Sequence, residues 1–238
     1  MKKIGLIGGL GPESTLEYYR GIIEAFRPTY EQHGFPEIVI ESVNLRSFTE
    51  QAESGEWDAI AAALTDRLEV LRKAGAHFGA ICSNTPHRVF EQVQQATRLP
   101  LVSIVEAARD HILRLGISRL CLLGTRFTMQ SDFFKRALEP AAIRVVVPAV
   151  SEIEYIQEKI FSEIEFGIIK PATKARFLSI IQRLEHEQQI QGVILGCTEL
   201  PMLLKPEDMH LHYVDTTAIH IAAIVTRCRR DELAPPSG

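Results

Sequence analysis

The sequence has a single tryptophan and only four cysteines, Cys82, Cys121, Cys197 and Cys228, in 238 residues. No two cysteines stand as a C-x-x-C pair or at any other zinc spacing, so neither a metal knuckle nor a disulfide framework organises the chain. Kept reduced in a cytosol, such thiols are ordinarily small buried apolar side chains. Basic runs with interleaved aromatics are also missing. With 26 Lys and Arg against 30 Asp and Glu, the net charge of -4 offers no footprint for nucleic acid or an anionic membrane surface. No apolar stretch approaches the ~18 residues of a membrane span. The short run after Lys2 and Lys3 ends at Gly8-Gly9, too early for a secretory signal. A cytoplasmic location is the expectation.

Two nucleotide-binding signatures are incomplete as well. In Gly8-Gly9-Leu10-Gly11-Pro12-Glu13-Ser14-Thr15, Gly9 and Gly11 fit a dinucleotide fingerprint, but Ser14 stands where its last glycine belongs. No G-K-[ST] ending follows, which removes the P-loop. What remains is a strand, a glycine-rich turn and a helix start, which suits an anion such as a carboxylate at Gly9, Ser14 and Thr15. A tight turn capped by Ser14 or Thr15 explains the same residues without a ligand.

What is present is an ordinary globular composition, 46% hydrophobic and 24% charged. Short β-branched runs alternate with longer helical stretches, which indicates βαβ units and an α/β fold with parallel sheets. Strands are expected over residues 3–8, 37–43, 78–82, 120–124, 144–148 and 192–196. Helices are expected over residues 14–26, 58–74, 129–138, 154–165 and 175–188. In residues 58–74, Ile60, Leu64, Leu68 and Leu71 are spaced for one apolar face. Residues 234–238, with two prolines and a glycine, read as a disordered tail.

The chain also echoes itself. Leu6-Ile7-Gly8-Gly9 is answered by Leu122-Leu123-Gly124-Thr125. The strand ending at Ser83-Asn84-Thr85 is answered by one ending at Cys197-Thr198-Glu199. From Gly8 to Ser83 is 75 residues and from Gly124 to Cys197 is 73, by subtraction of their numbers. Two similar lobes related by a pseudo-twofold axis account for this: one over residues 1–100 completed by 213–238, the other over 101–212.

Ser83 and Cys197 therefore both end apolar strands at the carboxyl edge of a sheet, where open α/β folds bind ligands. Each precedes an expected helix, whose N-terminus favours an anionic side chain and is expected to lower the Cys197 pKa toward neutrality. Two equivalent groups facing one another across a cleft are what proton transfer at both faces of one carbon requires. Taken singly, each reads more readily as a helix cap than as a catalytic residue.

Five stretches in order resemble the aspartate/glutamate racemase family: residues 4–15, Ser83-Asn84-Thr85-Pro86-His87, residues 122–129, Gly196-Cys197-Thr198-Glu199 and Val214 to His220. The resemblance covers nearly the whole chain. It implies a homodimer of two-lobed α/β subunits, an active site in the cleft between the lobes, and an acid/base pair working without pyridoxal phosphate or metal. The usual first cysteine is replaced here by Ser83, as in a branch where a threonine holds that place, which makes Cys197 the main base. Adjacent Cys82 should point away from the site, because side chains alternate along a strand.

By the same resemblance and by their chemistry, Asn84, Thr85, Thr125 and Thr198 are expected to hold the α-carboxylate of an amino-acid substrate. Glu199 and His87 are expected to orient the reactive groups or bind the ammonium; a first-turn acid and a capping histidine are their alternatives. Arg46 is the candidate for the side-chain carboxylate of aspartate or glutamate. Some relatives place a lysine in the helix that here carries Glu163 and Glu165, and Lys159 is nearby, so a broader substrate range stays open. A maleate isomerase or hydantoin racemase, and a silent carboxylate-binding protein, are the competing readings.

Overall fold

A computed structural model describes residues 1–229; the expected tail at 234–238 lies outside them. Among the described residues, two four-stranded parallel sheets are present. The first has the order β2-β1-β3-β4, from β1 (Ile4–Gly8), β2 (Ile38–Ser42), β3 (Phe78–Ile81) and β4 (Leu101–Val102). The second has the order β6-β5-β7-β8, from β5 (Arg119–Gly124), β6 (Arg144–Val146), β7 (Gly192–Gly196) and β8 (His212–Asp215). The identical order is the echo seen in the sequence.

Every residue of β1, β3 and β7 is buried, as a parallel strand covered by helices on both faces requires. Helix Trp57–Lys73 turns Ile60, Ala61, Leu64, Leu68 and Leu71 inward at the three-and-four spacing of one face. Burying each large aliphatic side chain contributes roughly 1.5–3 kcal/mol. Gly5 lets that helix come close: a Cβ there would stand 3.0 Å from the Ala76 Cβ and 3.2 Å from Leu71.

The chain divides into two compact units, Met1–Ile104 with His220 onward, and Val105–Ile219. The return to the first unit comes at His220 because β8 pairs with β7, Leu195 opposite Asp215, in the second sheet. His220 anchors that return. Its Nδ1 accepts from the Tyr18 hydroxyl at 2.7 Å and its Nε2 donates to the Val102 carbonyl at 2.9 Å. Arg229 caps the same face from above the Phe26 ring.

Three expectations need correction. The helix expected over residues 129–138 is two helices, Arg126–Gln130 and Phe133–Leu138. Ser131 between them is extended (ψ 158°), which allows Met129, Phe133 and Phe134 all to be buried. The glycine-rich turn is capped by Gly11 at φ 77°, with Pro12 opening the helix Pro12–Phe26, so Ser14 and Thr15 lie inside its first turn and are not its cap. Strands β4 and β8 and helices Leu45–Glu53, Ile104–Leu115 and Thr216–Arg229 were not expected as elements.

Candidate active site

In the first unit, the carboxyl edge of the sheet gathers the turn after β1 and the turn after β3. Gly9 has φ 82°, and a Cβ there would lie 2.3 Å from the Val43 carbonyl oxygen, so only glycine fits. Its N–H donates to Thr15 Oγ1 at 2.8 Å, and Thr15 donates onward to the Gly11 carbonyl. Ser14 Oγ donates to the Cys82 carbonyl at 2.9 Å. Gly9, Ser14 and Thr15 thus build the turn and tie it to the residue before Ser83.

Ser83 itself is half-buried, whereas Cys82 is buried in the core with Ile4, Leu6 and Tyr18. The expected alternation holds, and burial pushes the Cys82 thiol far above its ordinary range. Asn84 is buried and Thr85 half-buried at the start of the turn Thr85–Val89. His87 is 3% exposed, and both of its ring nitrogens are used. Nε2 accepts the Ile104 N–H at 3.2 Å, so the ring proton is on Nδ1, which donates to the Ser83 carbonyl at 2.9 Å. Burial first, then neighbouring His220, lower its pKa to about 3. His87 is therefore a neutral strut that fixes the Ser83 backbone. Arg46 sits in the first turn of helix Leu45–Glu53, capped by Asn44. Its guanidinium is exposed and bonded to Glu50 at 2.8 Å.

In the second unit, β5 and β7 run side by side with Leu123 opposite Leu195 and Gly124 opposite Gly196. In the first sheet Ile7 lies opposite Ile81. Two residues beyond Leu195 is Cys197, and two beyond Ile81 is Ser83: they hold the same place in their sheets. Gly196 is needed for this closeness, since a Cβ there would lie 2.8 Å from Leu122 and 3.0 Å from the Leu123 carbonyl oxygen. Thr125 follows Gly124 and caps helix Arg126–Gln130 by accepting the Thr128 N–H at 3.3 Å.

Cys197 is 8% exposed, and its thiol donates to Glu199 Oε2 at 2.9 Å. Thr198 donates to the same oxygen at 2.8 Å. The expected lowering of the Cys197 pKa is overturned. Burial first, then the Glu199 carboxylate, hold the thiol well above its ordinary range. The helix that follows, Leu200–Leu203, is a single turn with too small a dipole to oppose them. Glu165, on the turn Ile164–Phe166, is a further acid of this neighbourhood. Burial and then Glu199 push its carboxyl up to about 7. Nothing local in the sequence marks Glu165, because only the return of the chain after helix Val150–Ser162 brings it near Glu199 at the end of β7. Lys159, by contrast, is committed to Glu158 at 3.0 Å and Glu163 at 3.1 Å.

The stretch Val214 to His220 is scaffold for the same edge. Asp215 accepts the N–H groups of Thr217 and Ala218, opening helix Thr216–Arg229, and Thr216 Oγ1 donates to the Leu195 carbonyl at 2.7 Å. Among the described residues, no group of three or more His, Cys, Asp or Glu side chains is placed to hold a metal ion, and no helix is long and apolar enough to cross a membrane.

Residues 7–224 match the model of the Asp/Glu/hydantoin racemase family. The chain belongs to that family. It is thus an isomerase, a racemase by class. An aspartate racemase homologue from Pyrococcus horikoshii OT3 is 39% identical, with a TM-score of 0.83 over 96% of this chain and 99% of that one. A Yersinia pestis protein of known structure is 34% identical, with a TM-score of 0.88 over 96% and 99% of the two chains. The broad specificity amino-acid racemase RacX of Bacillus subtilis is 24% identical over 90% of this racemase and 93% of its own length. A glutamate racemase from Francisella tularensis, solved with D-glutamate, shares the fold at 14% identity, with a TM-score of 0.68 over 100% and 84% of the chains.

Proposed function

We propose that this chain is a cofactor-independent amino-acid racemase acting on aspartate and/or glutamate, with Cys197 as the main base and Ser83 at the opposite acid/base position. The observation that carries the reading is the thiol of Cys197 hydrogen-bonded to Glu199 at the carboxyl end of β7, with Ser83 at the equivalent place after β3.

In this reading the Cα–H bond breaks as Cys197 takes the proton, and the electron pair moves into the substrate carboxylate as an enediolate. Cys197 must first lose its own proton, and Glu199 is the acceptor already bonded to it. Asn84, Thr85, Thr125 and Thr198 hold the carboxylate and stabilise the charge that develops there. Ser83, or a water held by it, returns a proton to the other face. A hydroxyl is a much poorer base than a thiol at neutral pH, so the two directions differ in kcat. The enantiomers have equal free energy in water, so their kcat/KM values stay equal.

The substrate range is where a second reading has an observation behind it. Arg46, the residue suited to a side-chain carboxylate, is exposed and held by Glu50, which favours a wider set of amino acids. Homodimeric assembly and a cytoplasmic setting, in which the four buried thiols stay reduced, complete the proposal; sedimentation velocity tests the dimer. The enzymatic test is chiral chromatography of aspartate, glutamate and alanine after incubation with protein treated with EDTA and hydroxylamine. Inversion at an undiminished rate supports the reading. Inversion that needs added pyridoxal phosphate or metal overturns it, and turnover of maleate or a hydantoin alone moves the chain to another branch.

A further inference from the structure

We propose that Glu165 is the residue of the Cys197 site that receives a cationic nitrogen of the substrate, an assignment that rests on the racemase reading above. The turn Ile164–Phe166 is fixed in place by packing: Ile164 is fully buried in the same core cluster as Cys197, Leu200 and Leu203. The two acids flanking Ile164 have opposite fates. Glu163 is buried and fully answered, by Lys159 and Lys170 at 3.1 Å each and by the Thr173 hydroxyl at 2.6 Å. Glu165 is half-buried and has no hydrogen bond or ion pair among the described residues; the charged neighbour it feels is Glu199.

A carboxylate partly withdrawn from water beside a second carboxylate is unfavourable until a cation joins them. Lys159, six residues before Glu165, is engaged by Glu158 and Glu163. The rise of the Glu165 pKa to about 7 expresses the same unmet demand.

A second, independent feature lies at the start of helix Thr216–Arg229. The β7–β8 register pairs Leu195 with Asp215, and Thr216 Oγ1 donates to the Leu195 carbonyl at 2.7 Å, which brings the first turn of that helix, with Thr217, to the end of β7. Thr217 is 6% exposed, and its Oγ1 is buried without a hydrogen-bond partner among the described residues. A buried hydroxyl left in that state is costly. Near the end of β7 there are thus acceptors in excess, Glu165 and Glu199 with the Thr217 hydroxyl, and an alkylammonium with three N–H donors is the chemistry that answers them. An amino acid offers it from its α-carbon, and a basic amino acid also from its side chain.

The experiment measures α-proton exchange in D₂O for L-aspartate, L-alanine and L-lysine across substrate concentration, with wild type, Glu165→Gln and Glu165→Lys. Glu165→Asp and thermal midpoints report on folding and on rescue by retained charge. Losing a charge-assisted hydrogen bond corresponds to roughly a tenfold or larger rise in KM. A rise of that order for all three substrates in Glu165→Gln, larger in Glu165→Lys and reduced in Glu165→Asp, supports the proposal with the α-ammonium as the nitrogen. A rise confined to L-lysine supports it with the side-chain ammonium. KM values unchanged for every substrate overturn it. A fall in kcat at constant KM also overturns it, since Glu165 would then act on Cys197 and not on the ligand. If wild type exchanges none of the three, the racemase reading fails first and this assignment falls with it.

Discussion

The thiol of Cys197 donates its proton to the carboxylate of Glu199 across 2.9 Å, while Thr198 holds the same oxygen at 2.8 Å. The equivalent place after Ser83 is filled by Thr85, which brings no carboxylate. One side of the proposed reaction has a thiol with its own proton acceptor, and the other has a bare hydroxyl. The asymmetry of the two positions is thus one of whole local settings, not of one substituted atom.

Replacing Glu199 by glutamine removes the acceptor but keeps the size and a hydrogen-bond partner. If Glu199 takes the Cys197 proton, Glu199→Gln lowers kcat for α-proton exchange by about 10²–10⁴-fold, the usual range for losing a general base. Its KM changes much less. A pH–rate profile checks the role: activity of the variant rises toward high pH, where the thiol ionises without help. A variant with the wild-type profile and rate contradicts it.

Ser83→Ala separates exchange from inversion. With Cys197 intact, one enantiomer is expected to take up deuterium at Cα and keep its configuration, because proton removal and return then occur on the same face. Racemisation falls by at least about a hundredfold. Proton NMR combined with chiral chromatography of one sample reads both quantities. Undiminished inversion in this variant removes Ser83 from the mechanism.

His87 and His220 are buried and neutral, with pKa values lowered to about 3 and about 4 by desolvation. In the unfolded chain both return to about 6.5, so the unfolded state binds more protons at mildly acidic pH. Their contribution to stability is complete above pH ~6.5 and declines as pH falls toward 4, by about 1.4 kcal/mol per pH unit for each histidine. Urea unfolding at pH 7.5, 6 and 5 should show this decline. His220→Gln, which keeps a polar group against Tyr18 and Val102, should flatten its slope by about half.

Much of this architecture was legible in advance because buried parallel strands and amphipathic helices repeat in sequence. The runs ending at Gly8, Ile81, Gly124 and Gly196 are apolar throughout, and Ile60, Leu64, Leu68 and Leu71 mark their helix plainly. Helix Ile104–Leu115 carries the same spacing at Ile104, Ala108 and Ile112 and was open to the same reading. β4 was not, being two residues long, nor was β8, whose His212-Tyr213-Val214-Asp215 is too polar to read as an interior strand. The positions of Ser83 and Cys197 followed from the internal echo. The state of the thiol did not, because burial and a side chain two residues away decide it. Glu165 is the extreme case, since its meaning comes from a neighbour 34 residues distant in the chain, counting from 165 to 199.

The most direct test of the central claim is wash-in of deuterium at Cα, followed by proton NMR, for wild type and Cys197→Ala incubated with L-glutamate and L-aspartate in D₂O without added cofactor. Exchange by wild type and its loss in Cys197→Ala is the predicted result. Exchange that survives in Cys197→Ala, especially if Cys82→Ala abolishes it, contradicts the assignment of the base.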